Sequence, residues 1–164
     1  MTWQDDKRWS DKFIPQIKSI LGGYLIGEAS QEEDTLRNTD LVVLQMEAKR
    51  IGCRVRRHQF AEDYSDEFTI RAGRPSGNET ELSKVVSGWG DYFFYGFADT
   101  SESRLAAWLL GDLYVFRYWF NRYLAEHRGR APGRRICNHD KSSDFLVFCI
   151  ADLPERFVIG RQLT

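Results

Sequence analysis

Apolar residues recur at helical spacing through residues 11–26, where Phe13, Ile17, Ile20, Leu21, Tyr24 and Leu25 fall on one face. Ser10 or Asp11 can cap the start of that helix, and Pro15 sits in its first turns, where a missing amide costs least. Leu41 to Met46 is apolar at every position but Gln45, the pattern of a central strand buried on both faces. Ile51, Cys53 and Val55 then alternate with Gly52, Arg54 and Arg56. That period of two predicts a strand with Cys53 packed in the core and the arginines on the other face. Phe68 and Ile70 alternate in the same way with Glu67, Thr69 and Arg71.

Beyond the loop AGRPSGNE, Asn78 and Glu81 have the spacing of a capping box. Leu82, Val85, Val86, Trp89 and Phe93 follow as one helical face, with Lys84 on the exposed side. A strand beginning near Tyr92 pairs with LAAWLLGDL across the DTSESR turn. Asp112 caps another amphipathic helix carrying Leu113, Phe116, Trp119, Phe120 and Tyr123. RGRAPGRRICNHDKSS, basic and rich in turn formers, reads as a surface loop, and FLVFCI as a last strand. The predicted order is αβββαββαβ, an α+β (α/β) chain with a mixed central sheet flanked by helices. Its simplest organisation is one domain over residues 1–164.

Composition changes this picture little. A hydrophobic fraction of 42% and an aromatic fraction of 14% belong to a folded chain with a real core. The formal net charge of -1 offers no global attraction to nucleic acid, so any such attraction must come from a local patch. The three cysteines form no CxxC pair, which suits reduced thiols. No run approaches the roughly 18 apolar residues of a membrane span, and MTWQDDKRWSDK lacks the apolar centre of a signal peptide. A cytoplasmic location and no membrane partner are expected.

The candidate chemistry lies between Asn38 and Arg71. If the strands at 51–56 and 67–71 are neighbours in one sheet, Arg54, Arg56, Thr69 and Arg71 share a face that can hold an anion, because guanidinium forks match phosphate oxygens. Arg74 and Lys84 extend this basic surface. Cys137 and His139 stand two apart with no second pair, which does not make the usual four-ligand zinc pattern. His58 has no evident partner that would make it a general base.

NTDL, CRVRR, DEFTIR, GRPSGNETEL, GWGDYFFYGFAD, WLLGDL and SDFLVFCIADLP, taken together, resemble small phage and prophage proteins of the restriction-endonuclease-like, or PD-(D/E)xK, superfamily. The resemblance implies a restriction-endonuclease-like core and a divalent metal, Mg2+ or Mn2+, activating water against a phosphodiester. Asp40 matches the superfamily's first acidic position. The second position departs from it, because the expected strand reads Cys53-Arg54-Val55-Arg56. Glu47-Ala48-Lys49 spells the motif but in a predicted turn. The remaining arrangement takes Asp40 and Glu67 as metal ligands, with Glu28 or Glu81 as a third, and Arg71 in place of the lysine. Three functions follow as expectations: a metal-dependent nuclease with Asp40, Glu67 and Arg71 in the site; an inactive nuclease fold binding DNA through Arg54, Arg56, Arg71, Arg74 and Lys84; or a factor that binds and inhibits a host protein.

Overall fold

The computed structural model describes residues 3–28, 41–43 and 48–162. Two compact units are present, Met1–Ala48 and Lys49–Thr164.

The first unit holds two helices, α1 (Trp3–Asp11) and α2 (Ile14–Leu25), where sequence periodicity predicts one. The chain turns at Lys12 and Phe13, and a new helix begins at Ile14 with Pro15 in its first turn, where the missing amide leaves no helical bond unmade. Trp9 and Phe13 meet edge to face at 5.2 Å across the break. Strand β1 (Ile26–Glu28) pairs antiparallel with β2 (Leu41–Val43) in a two-stranded ladder. Leu41–Val43 of the apolar run is thus a strand, in a ladder of two strands among the described residues, and Leu44 to Met46 lie outside them.

The second unit carries two sheets. Its strands are β3 (Ile51–Arg56), β4 (Glu67–Gly73), β5 (Tyr92–Ala98), β6 (Leu105–Asp112), β7 (Arg134–Cys137), β8 (Asp144–Cys149) and β9 (Val158–Gln162). A mixed four-stranded sheet runs β3-β5-β6-β9, with β3 parallel to β5 and the other pairs antiparallel. A three-stranded antiparallel sheet runs β4-β8-β7. Among the described residues, three α-helices, α3 (Ala61–Tyr64), α4 (Glu81–Val86) and α5 (Leu113–Glu126), complete the unit with single 3-10 turns at His58–Phe60, Ile150–Asp152 and Glu155–Phe157. The class is α+β, with a mixed sheet and flanking helices.

Phe68, on the inner face of β4, lies at the centre of the core. Its ring meets Phe148 and Phe157 in stacked geometry at 5.3 and 5.4 Å, and Phe93, Tyr95 and Phe116 at wider angles. Helix α5 contributes Leu113, Phe116 and Phe120, spaced to cover one stripe. Burial of each such ring contributes on the order of 2 kcal/mol. Gly111 makes room for this packing: a Cβ there would stand 2.4 Å from the Phe157 ring.

Two predicted features differ in detail. Helix α4 ends at Val86, because Gly88 and Gly90 take φ of 100° and 81°, left-handed backbone that stops a helix. Trp89 is therefore 63% exposed, and Phe93 is a strand residue. The helix is capped by Thr80, in a reciprocal capping box with Ser83, and not by Asn78 with Glu81. The basic segment after α5 contains strand β7, which a loop reading of its glycines and proline does not anticipate.

Candidate functional site

Strands β3 and β4 belong to different sheets, so a continuous ladder does not bring their arginines into one row. The two strands nevertheless meet along a seam, and polar side chains close it. On β4, the backbone carbonyl of Thr69 and the amide of Arg71 lie two residues apart, on one edge of the strand. Arg54 Nη1 donates to the Thr69 carbonyl at 3.0 Å and to Thr69 Oγ1 at 3.3 Å. Glu81 Oε2 accepts from the Arg71 amide at 3.1 Å and is ion-paired with Arg54 Nη2. A side-chain pair thereby satisfies an edge that would otherwise offer itself to another strand.

This changes the role expected of Arg54. Its guanidinium is committed to Thr69 and Glu81. Glu81, at the start of α4, is correspondingly committed to two donors and is not a free metal ligand.

Arg71 is different. Its guanidinium makes no hydrogen bond or ion pair among the described residues, and its Nε is buried without a partner. It lies 5.4 Å over the Phe145 ring, which Arg54 also overlies at 5.6 Å. Burial, then the charges of Arg74 and Arg54, lower its pKa from the ordinary arginine value, and Glu81 offsets part of that effect. Arginine stays protonated regardless. The charges of Arg54 and Arg74 thus both act on Arg71, against the single carboxylate of Glu81, leaving surplus positive charge at the seam. Arg74 is exposed in the loop after β4, and Lys84 is exposed one turn along α4 from Glu81.

Arg56 points elsewhere. It lies 4.2 Å over the Phe60 ring and lines a groove of about 220 Å3. Tyr64, Tyr95 and Phe97 line the same groove, along with Glu67, Thr69, Arg134, Ile136 and Val147 from the outer face of the three-stranded sheet. Glu67 Oε2 is 3.3 Å from Arg134 Nη2. At the floor, Thr69 Oγ1 and Tyr95 OH are 3.1 Å apart.

Of the expected catalytic set, Glu67 and Arg71 lie among the described residues. Glu67 and Arg71 share a face of β4 with Thr69 between them, but they meet different partners, Glu67 the Arg134 guanidinium and Arg71 the Phe145 ring. Asp40 and Glu47 lie outside the described residues, as does the side chain of Glu28. Among the described residues, no group of three or more His, Cys, Asp or Glu side chains could hold a metal ion. Among the described residues, the charged partner of Glu67 is the Arg134 guanidinium, which cannot enter the hard-oxygen shell that Mg2+ requires.

Cys53 is exposed, not core. Registration of β3 on β5 puts Arg54 and Arg56 on the same face as Tyr95 and Phe97, and Cys53 on the opposite one. Desolvation still raises the Cys53 pKa, which disfavours the reactive thiolate. His58 is half-buried with Nδ1 3.6 Å from Glu102. The residues that sequence reasoning missed are Arg134, Tyr95 and Phe60. Only the alternation of Glu67 and Thr69 pointed toward their groove.

The chain matches no protein-family model, no curated protein and no solved structure. No helix among the described residues is long and apolar enough to cross a membrane.

Proposed function

We propose that this protein binds DNA without cutting it at Glu67, as a nuclease-like protein whose recognition surface is the arginine seam. Arg71 carries the reading: a guanidinium beside Arg54 and Arg74 with neither a hydrogen bond nor an ion pair among the described residues. A phosphate is the ligand it suits, because planar N–H forks give two parallel bonds to phosphate oxygens. An incoming anion would also relieve repulsion among three guanidiniums. Arg74 and Lys84 supply further exposed charge, and Arg54 acts as a brace rather than a contact. The resemblance to restriction-endonuclease-like phage proteins supports a nucleic-acid role. Metal-dependent cleavage would need Asp40 to gather a carboxylate set that Glu67, paired with Arg134, does not join as it stands.

The test is fluorescence anisotropy of a labelled single-stranded oligodeoxynucleotide at low salt, with native protein and with Arg71→Ala/Arg74→Ala. Native binding that weakens about tenfold or more in the variant is expected, from the loss of charge-assisted hydrogen bonds. Absence of binding by the native protein would end this reading.

A second reading has its own observation. Trp89, Tyr114 and Tyr118 are 63%, 71% and 68% exposed, and Tyr114 and Tyr118 stand four apart on α5. Exposed aromatics of this kind suit a protein partner such as a host enzyme. Such a complex would change little with salt, whereas phosphate binding weakens steeply.

A further inference from the structure

We infer that the groove beside the seam receives one unpaired nucleobase of the strand whose phosphates Arg71 and Arg74 hold; this rests on the DNA-binding reading. The positions are linked by strand geometry. Thr69 and Arg71 stand two apart on the outer face of β4, so the residue at the groove floor and the residue with the unpartnered guanidinium are roughly 7 Å apart along the strand. A phosphate at Arg71 and a base over Thr69 can then belong to the same short stretch of DNA.

Size selects the occupant. The groove measures about 220 Å3, below the range of about 300–1,000 Å3 typical of pockets for drug-sized ligands. One planar ring system suits it better than a whole nucleotide cofactor. The walls are planar as well: Phe60 carries the Arg56 guanidinium at 4.2 Å, and Tyr64 stands exposed at the rim. Bases stack on such surfaces with little regard to sequence.

The polar groups complete the argument. Thr69 Oγ1 accepts from Arg54 and also bonds Tyr95 OH. Two hydroxyl protons are present, and only one can lie between those two oxygens. Whichever way the bond runs, one O–H donor is left over at the floor, with no further acceptor among the described residues. On the wall, Glu67 and Arg134 offer an acceptor and a donor from a half-exposed pair, a kind that contributes little as it stands and is easily reopened. A base edge carries donors and acceptors for these groups. An apolar peptide side chain would leave them unsatisfied at a cost.

The experiment compares oligothymidylate with an abasic oligodeoxynucleotide of equal length, which keeps the phosphates and lacks the bases. Native protein is expected to hold the base-bearing strand about tenfold tighter, the scale of one stacked base. Tyr64→Ala should erase that difference while leaving the abasic affinity in place, and Tyr64→Phe should keep it. Arg71→Ala should weaken both strands equally. Equal affinity of native protein for the two strands would overturn the base pocket and leave DNA binding standing. A loss of both strands in Tyr64→Ala would also overturn it. Failure of either strand to bind native protein would overturn the pocket together with the reading beneath it.

Discussion

Glu81 is the residue on which stability and binding pull apart. It neutralises Arg54 and accepts the Arg71 amide, so it strengthens the seam and subtracts from its positive charge. Glu81→Gln keeps an oxygen for the amide but removes the charge. The exchange of a charge-assisted bond for a neutral one should cost about 1 kcal/mol, seen as a lower urea midpoint with unchanged slope. DNA affinity should rise severalfold in the same variant, because Arg54 is released toward the phosphate. Weaker DNA binding by Glu81→Gln would show that its carboxylate positions the arginines more than it competes for them. None of this was legible locally. Alternation identified the faces of β3 and β4, yet it did not say which face of β3 is inward. The period that places Cys53 on the face of Ile51 and Val55 predicts a core residue, whereas that face is exposed at Cys53, on an edge strand with a single ladder neighbour.

Elements were most legible where their signals are close in sequence. The β5-β6 hairpin follows from two apolar runs around DTSESR, where the Asp99 carboxylate accepts from Ser101 Oγ and from the amides of Ser103 and Arg104. Helix α5 starts where Asp112 predicts, with Asp112 Oδ1 accepting from the Tyr114 and Val115 amides. Asp112→Ala should lower stability by about 1 kcal/mol, the ordinary worth of such a cap. Thermal unfolding would measure it. DNA affinity should not change, because neither the seam nor the groove draws a residue from α5. A fall in affinity without a fall in melting temperature would contradict that separation. Helix α4 was less legible, since Asn78 and Thr80 both offer caps and the choice depends on where Glu81 must reach, a demand set by β3 and β4.

At the scale of the whole molecule, the assignment of strands to two sheets was the least legible feature, because β4 takes its partner, β8, from more than seventy residues along the chain. That division also separates Arg56 from Arg71 and turns one expected arginine row into a seam and a groove. It bears on the salt dependence of binding. With 23 basic against 24 acidic residues the molecule has no net field to steer DNA, so attraction is confined to phosphates actually contacted. Two contacts, at Arg71 and Arg74, predict a slope of log affinity against log salt of about -1.4 for a single strand, and four, with Arg56 and Arg134 added, about -2.8. Arg74→Ala should reduce the steepness by about 0.7. Replacing EDTA with magnesium at constant ionic strength should weaken binding slightly, since the divalent ion competes for the same phosphates. A requirement for Mg2+ or Mn2+, abolished by Asp40→Ala, would reverse this conclusion. It would return recognition to a metal centre that includes Asp40.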